Sequence, residues 1–318
     1  MIYPENFERK IGFNEIRTLL KGRCLSSLGT EWVDKELHFM HDFEQIKQAL
    51  DEAREYKIFE EQTDEEVETE FFDVREALLR ARPERTFLEE LDLFNLKRSI
   101  ASVLSYAKLF TQKVDDEDLS TTDADTENNR GQIKYLYPAL GKMACDVAVF
   151  PDIIQRIDKI LNKYGKVKDT ASPELLSLRH QIEITTRGIS HSLRSIINEA
   201  QTSGYIDRDV TPTLRDGRLV IPVAPALKRK IKGIVHDESA TGKTVFIEPS
   251  AVVDANNKIR TLRAAERREV IRILQEITIE IRPHIPELIS SLHFLAHVDF
   301  LRALNAFSNS FGAIVPNI

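Results

Sequence analysis

Cysteine is almost missing. Cys24 and Cys145 are the only two in 318 residues, too few for a disulfide framework or a multi-cysteine zinc site and in keeping with a reducing compartment. Glycine and proline are sparse, at 12 each, and aromatics make up 8% of the chain. With 42% hydrophobic residues, this excludes a collagen-like repeat and a disordered chain, and it disfavours an all-β sandwich. The longest uncharged apolar run, 219–227, is far short of the roughly 20 residues a membrane span needs. Near the start, Glu5, Glu8, Arg9 and Lys10 stand where a signal peptide would be apolar. The expectation is a cytoplasmic chain of about two domains built mainly of long helices.

The net charge of −7 is unevenly spread. Seven acidic and no basic residues lie between Glu60 and Glu70, and the same holds from Asp115 to Glu127. Neither run has the Gly and terminal Glu spacing of an EF-hand loop, so both read as solvated connectors. Residues 205–273 hold 14 basic against 9 acidic residues. A basic segment on an acidic protein concentrates attraction for a polyanion in one place.

Helical periodicity covers most of the sequence. Leu93, Leu96, Ile100, Val103, Ala107 and Phe110 form a heptad seam, and Phe43, Ile46, Leu50 and Ala53 repeat the spacing. Ser172-Pro173-Glu174 announces a third helix, with Ser as N-cap, that runs to about Gly204. Then the period changes. Short β-branched bursts appear at 210–214, 219–223, 231–235 and 244–247, and Asp216-Gly217 is a two-residue hairpin signal. Pro212, Pro222 and Pro225 keep such strands short or at edges. Helical spacing resumes through Ile259, Leu262, Val270, Ile273, Ile277 and Ile281, Pro283 and Pro286 break it, and a last apolar helix covers about 288–307. The expected architecture is mainly α: a helical core over 1–170, an antiparallel helix pair (171–204 and 250–282) carrying a small inserted β unit over 205–249, and a final core helix within 283–318.

The stretch from Gly233 through His236, Asp237, Gly242 and Lys243 to Glu248 and Pro249, preceded by Leu214 to Val223 with Gly217, resembles the clamp signature of the MutS family. The resemblance is to its second bacterial branch, whose longer members carry a C-terminal Smr nuclease domain; Tyr3 to Phe13 and Leu292 to Phe307 fit that branch too. It implies a helical core, lever helices and a β clamp, with Gly217, His236, Asp237, Gly242, Glu248 and Pro249 as structural members of the clamp. In the family an ATPase domain follows the last helix, so the resemblance implies that residues 1–318 are a core, lever and clamp fragment without ATPase or nuclease activity. ATP and magnesium are implied for that further domain, and no cofactor for this chain. It further implies homodimers closing around nucleic acid, suppression of homologous recombination and rescue of collided ribosomes, with DNA or the ribosome as partner.

Three patterns imitate catalytic motifs. Thr241-Gly242-Lys243-Thr244 resembles a P-loop, but Asp237 stands where the first glycine belongs and a strand follows instead of a helix. His293 and His297 have the i, i+4 spacing of zinc ligands without the intervening Glu of a metalloprotease. His236-Asp237 lacks a nucleophile, and Asp237 is expected to cap the strand-loop turn. Catalytic and metal residues are therefore expected to be none. The expected phosphate contacts are Arg215, Arg218, Lys228, Arg229, Lys230, Lys232 and Lys243, sequence-independent because no aromatic interleaves with them for base stacking. Arg260, Arg263 and Arg267 form a further basic stripe, left open between solvation and polyanion contact because Glu266 and Glu269 interleave. The alternatives are a scaffold whose tip binds ribosomal RNA or protein with no DNA role, and a structural module touching no nucleic acid.

Overall fold

Regular apolar spacing becomes packing wherever the helices are long. The computed structural model describes residues 7–63, 67, 69–114, 134–204, 206 and 209–316. Its helices before residue 166 are α1 (Phe7–Lys10), α2 (Phe13–Lys21), α3 (Ser27–Lys35), α4 (Phe43–Gln62), α5 (Arg75–Arg80), α6 (Glu90–Phe110), α7 (Pro138–Ala144) and α8 (Pro151–Ile160). After them come α9 (Pro173–Thr202), α10 (Val253–Ile281) and α11 (Ile285–Phe311). The chain divides into two compact units, Met1–Lys166 with Leu274–Ile318, and Val167–Ile273. Mainly α with a small sheet is the fold class. Among the described residues no helix is long and apolar enough to cross a membrane.

In the first unit, all six seam residues of α6 are buried, and α11 packs against α3, α4 and α6. The face of α4 departs from the expectation. Phe43 is 56% exposed, and Ile46, Leu50 and Ala53 are only half-buried. Glu52, Tyr56 and Phe59 are the buried residues instead. Aromatic size decides the rotation: Tyr56 and Phe59 join Tyr106, Phe110 and Tyr137 in a cluster with ring centroids 5.1 to 6.4 Å apart. Each ring buries on the order of 150–250 Å², more than the aliphatic line could. The first acidic run is not wholly solvated either, since Glu70 pairs with Arg98 of α6 and Glu60 accepts from Asn305 of α11. The run 115–127 lies outside the described residues.

In the second unit, Ser172 caps α9 by accepting from Leu175 N (3.0 Å) and donates to Glu269 of α10 (2.6 Å). Arg179 donates from Nε to Glu266 (2.8 Å). Partners on α10 descend as residues on α9 ascend, so the pair is antiparallel. Ile189, Leu193 and Ile197 then meet Val252, Ile259 and the inner face of the sheet, Ile221, Val223, Val245 and Ile247. Hydrogen bonding by Arg272, aided by Ser172, holds the Glu269 carboxyl at about 2 against the burial that would raise it. A depressed carboxyl stabilises above its ordinary range and is lost on protonation. The α9–α10 junction is therefore expected to loosen as pH falls from about 4.5 toward about 2. Hydrogen exchange at the start of α9 against pH checks this.

The sheet has strands β1 (Thr213–Arg215), β2 (Arg218–Val223), β3 (Gly233–Glu238) and β4 (Val245–Pro249), all antiparallel in the order β1-β2-β4-β3. Asp216 and Gly217, with φ of 44° and 74°, are both left-handed, as the tight hairpin turn requires. Proline sets the limits here. β1 starts only after Pro212, and Pro222 lies in β2 beyond Val220, the last residue paired with β1, so its missing N–H costs no β1–β2 bond.

Candidate nucleic-acid interface

Charge on this sheet is organised around one buried carboxylate. Every residue of β4 is buried, and Glu248 is fully so. Arg218 of β2 donates from Nη1 to both of its oxygens at 2.8 and 2.9 Å, Asn256 of α10 donates at 2.7 Å, and His236 of β3 closes on Oε2. Burial alone would raise the Glu248 carboxyl, but the hydrogen bonds from His236, Asn256 and Arg218 bring it below its usual value. His236 is the extra residue of a β-bulge between Val235 and Asp237, and bulges re-aim side chains. Asn256 also bonds both backbone groups of Leu219 at 3.2 Å. Thus Glu248 joins β2, β3, β4 and α10. Gly233 faces the same strand, and a Cβ there would stand 2.2 Å from the Glu248 carbonyl oxygen.

This geometry changes the role of Arg218. Its guanidinium is committed to Glu248 and, through Nη2, to Asn257 at 2.9 Å, with 18% of the side chain exposed. It is a structural cation, and the phosphate contact expected of it is withdrawn. Arg215 stands opposite it in register. Two facing cations would repel; here Glu248 neutralises one, while the other lies over the Phe246 ring at 4.2 Å and stays exposed. That contact leaves the Arg215 charge intact.

The remaining expected cations are exposed in two places. Lys228, Arg229, Lys230 and Lys232 share the connection between β2 and β3, and Lys243 sits in the β3–β4 turn. The six residues of β3 separate Lys232 from that turn, about 20 Å at 3.3 Å per residue. Among the described residues Arg215, Lys228, Arg229, Lys232 and Lys243 have no ion-pair partner. The outcome is a basic connection and an outlying lysine rather than one cluster.

The catalytic look-alikes resolve into structure. Around Lys243, Ser239 N donates to Thr244 O (2.8 Å), Gly242 N to Ser239 O (2.7 Å) and Thr244 N to Ser239 Oγ (3.0 Å). Those three amides close the hairpin and are not free to wrap a phosphate. Ser239, not Asp237, caps the turn; the Asp237 carboxylate accepts from Glu238 N (2.8 Å). Gly242 supplies the left-handed turn residue and Pro249 ends β4 opposite Gly233. His297 stacks on Trp32 at 4.4 Å and lies 3.2 Å from Glu52, while His293 meets Trp32 edge-on. Asn256 escaped the sequence reading, although a polar residue three before Ile259 on an otherwise inward line was its signal.

By class, then, this is a mainly α-helical protein with an antiparallel helix pair and an inserted four-stranded sheet whose β2–β3 connection is basic. No family model matches the chain. It is 31% identical over 314 residues to "Endonuclease MutS2" of Geobacillus sp. (strain WCH70), covering 96% of this chain and 36% of that protein. The protein of the same description from Ruminiclostridium cellulolyticum is 32% identical over 326 residues, covering 99% and 37%. That from Halalkalibacterium halodurans is 36% identical over 179 residues, covering 56% and 23%. The chain belongs to the MutS2-like family and spans 36% to 37% of the length of relatives that match nearly all of it.

Proposed function

We propose that residues 167–273 bind the phosphate backbone of nucleic acid without regard to sequence, with α9 and α10 as levers and the four-stranded sheet as clamp. The observation that carries this is the basic connection: four cations within 228–232, exposed on a chain of net charge −7. Lys228, Arg229, Lys230 and Lys232 make the main contacts, and Arg215 and Lys243 extend them. No reacting group is assigned to this chain, so neither ATP hydrolysis nor strand cleavage is expected of it. Suppression of recombination and rescue of collided ribosomes are the roles the family likeness suggests, and both present polyphosphate. Alone, the chain is expected to be monomeric or weakly dimeric in light scattering.

Anisotropy titrations with matched and mismatched DNA duplexes test the reading. The log-log slope of affinity against salt is about −0.9 per neutralised phosphate. The combined variant K228E, R229E, K230E is expected to shrink that slope by about 2.7, three contacts at about 0.9 each, with matched and mismatched duplex affected alike. A tenfold preference for mismatch overturns sequence independence. Loss of binding to purified ribosomes but not to duplex moves the partner to ribosomal RNA, and no effect on either overturns the reading.

A further inference from the structure

The stripe Arg260, Arg263 and Arg267 is undecided in sequence because two glutamates interleave with it. The fold separates the two sets. At 100° per residue the three arginines fall within about 60° of one another around α10. Asp254, Glu266 and Glu269, the acidic residues of α10 within this unit, lie outside that sector. Glu266 is held by Arg179, and Glu269, 4% exposed, by Ser172 and Arg272. Neither compensates the stripe. All three arginines are exposed, and none has an ion-pair partner among the described residues.

The stripe also has a neighbour. Arg263 Nη1 lies 3.8 Å from where a Cβ on Gly217 would stand, beside the β1–β2 turn. Asn256, in the same sector, holds the backbone of Leu219 at the start of β2, so the hairpin sits over this face of the helix. Asp216 is the single acidic residue of that hairpin. Spacings of three and four residues set the arginines about 4.5 and 6 Å apart along the helix. A nucleic-acid strand carries a phosphate about every 3.4 Å along its axis. Guanidinium groups on long arms bridge that difference and present the planar fork that suits phosphate oxygens.

We infer that Arg260, Arg263 and Arg267 form a second phosphodiester-binding track on α10, continuous with the β1–β2 hairpin, whose ligand is the backbone of double-stranded nucleic acid. It rests on the proposed function and extends it from the β2–β3 connection to the helix. The test compares the 318-residue chain with two variants, R260Q/R263Q/R267Q and K228Q/R229Q/K230Q, on duplex DNA and duplex RNA of one sequence. The stripe variant is expected to shrink the salt slope by about 2.7, three contacts at about 0.9 each. Whichever duplex shows the loss names the source of the phosphate. In parallel, phenylglyoxal modification of the unaltered chain, read by mass spectrometry, is expected to slow at these arginines when duplex is bound, a readout independent of whether a variant folds. An unchanged slope with equal modification rates overturns the inference; if the connection variant still loses its contacts, the proposed function survives. A loss confined to the stripe variant upholds the track and refutes the role of the connection. A parent chain with no salt-dependent binding refutes both.

Discussion

Replacing Glu248 by alanine is expected to destabilise the 167–273 unit by about 3–5 kcal/mol, because it leaves a largely buried guanidinium without its counter-charge. The side chain is fully buried and accepts from three donors on three different elements. Arg218, Asn256 and His236 would each lose a partner at once, and each stranded polar group carries a desolvation penalty. Glutamine keeps the shape but turns an amide N–H₂ toward Arg218 or His236, so Glu248→Gln should fall between the parent and the alanine variant. The double variant E248L/R218L is expected to lose less than either single change, since apolar residues replace the pair instead of orphaning half of it. Hydrogen exchange across 213–249 is the suitable measurement, because two units need not unfold together. Protection in that segment that survives in Glu248→Ala would show that the sheet does not depend on this carboxylate.

The same carboxylate explains where sequence reading stops. The basic run 228–230 is legible because its three cations are consecutive on a short connection, and all three are exposed. Arg215 and Arg218 look alike along the chain, one on each side of Asp216-Gly217. What separates them is a glutamate 30 residues after Arg218, which only strand order β1-β2-β4-β3 brings near. Local chemistry fixed the turn and the α9 cap, since Asp-Gly and Ser-Pro-Glu act on their own neighbours. The face of α4 was not local. Its aliphatic spacing is regular, yet the ring cluster of α6 and the Tyr137 ring select Tyr56 and Phe59. The stripe on α10 shows both limits: its spacing is written in the sequence, whereas the commitment of Glu266 and Glu269 elsewhere is a fact of α9 and of the segment that caps it.

In the other unit, Asp299→Ala is expected to cost about 3–5 kcal/mol by the same physics, with the damage concentrated between α2 and α3. Asp299 is fully buried on α11. It accepts from Leu25 N at 2.9 and 3.1 Å, from Ser26 N at 3.0 Å, from Ser26 Oγ at 2.8 Å and from Arg302 at 3.4 Å. Arg302 in turn donates to the Arg23 carbonyl. Ser26 is the N-cap of α3, accepting from Gly29 N at 3.1 Å, so one carboxylate ties the loop, the helix start and α11 together. Alanine would strand two amides and leave Arg302 without its carboxylate in a place that water reaches poorly. Asparagine restores part of the acceptance and should recover part of the loss, whereas D299A/R302M should lose less than D299A because no unpaired charge remains. Exchange protection over 20–35 reads the effect directly, and a thermal midpoint lower by roughly 10 °C is the expected global consequence for a unit of this size. A midpoint within about 2 °C of the parent, with that protection intact, would mean that apolar packing of α3 on α11 holds the loop by itself.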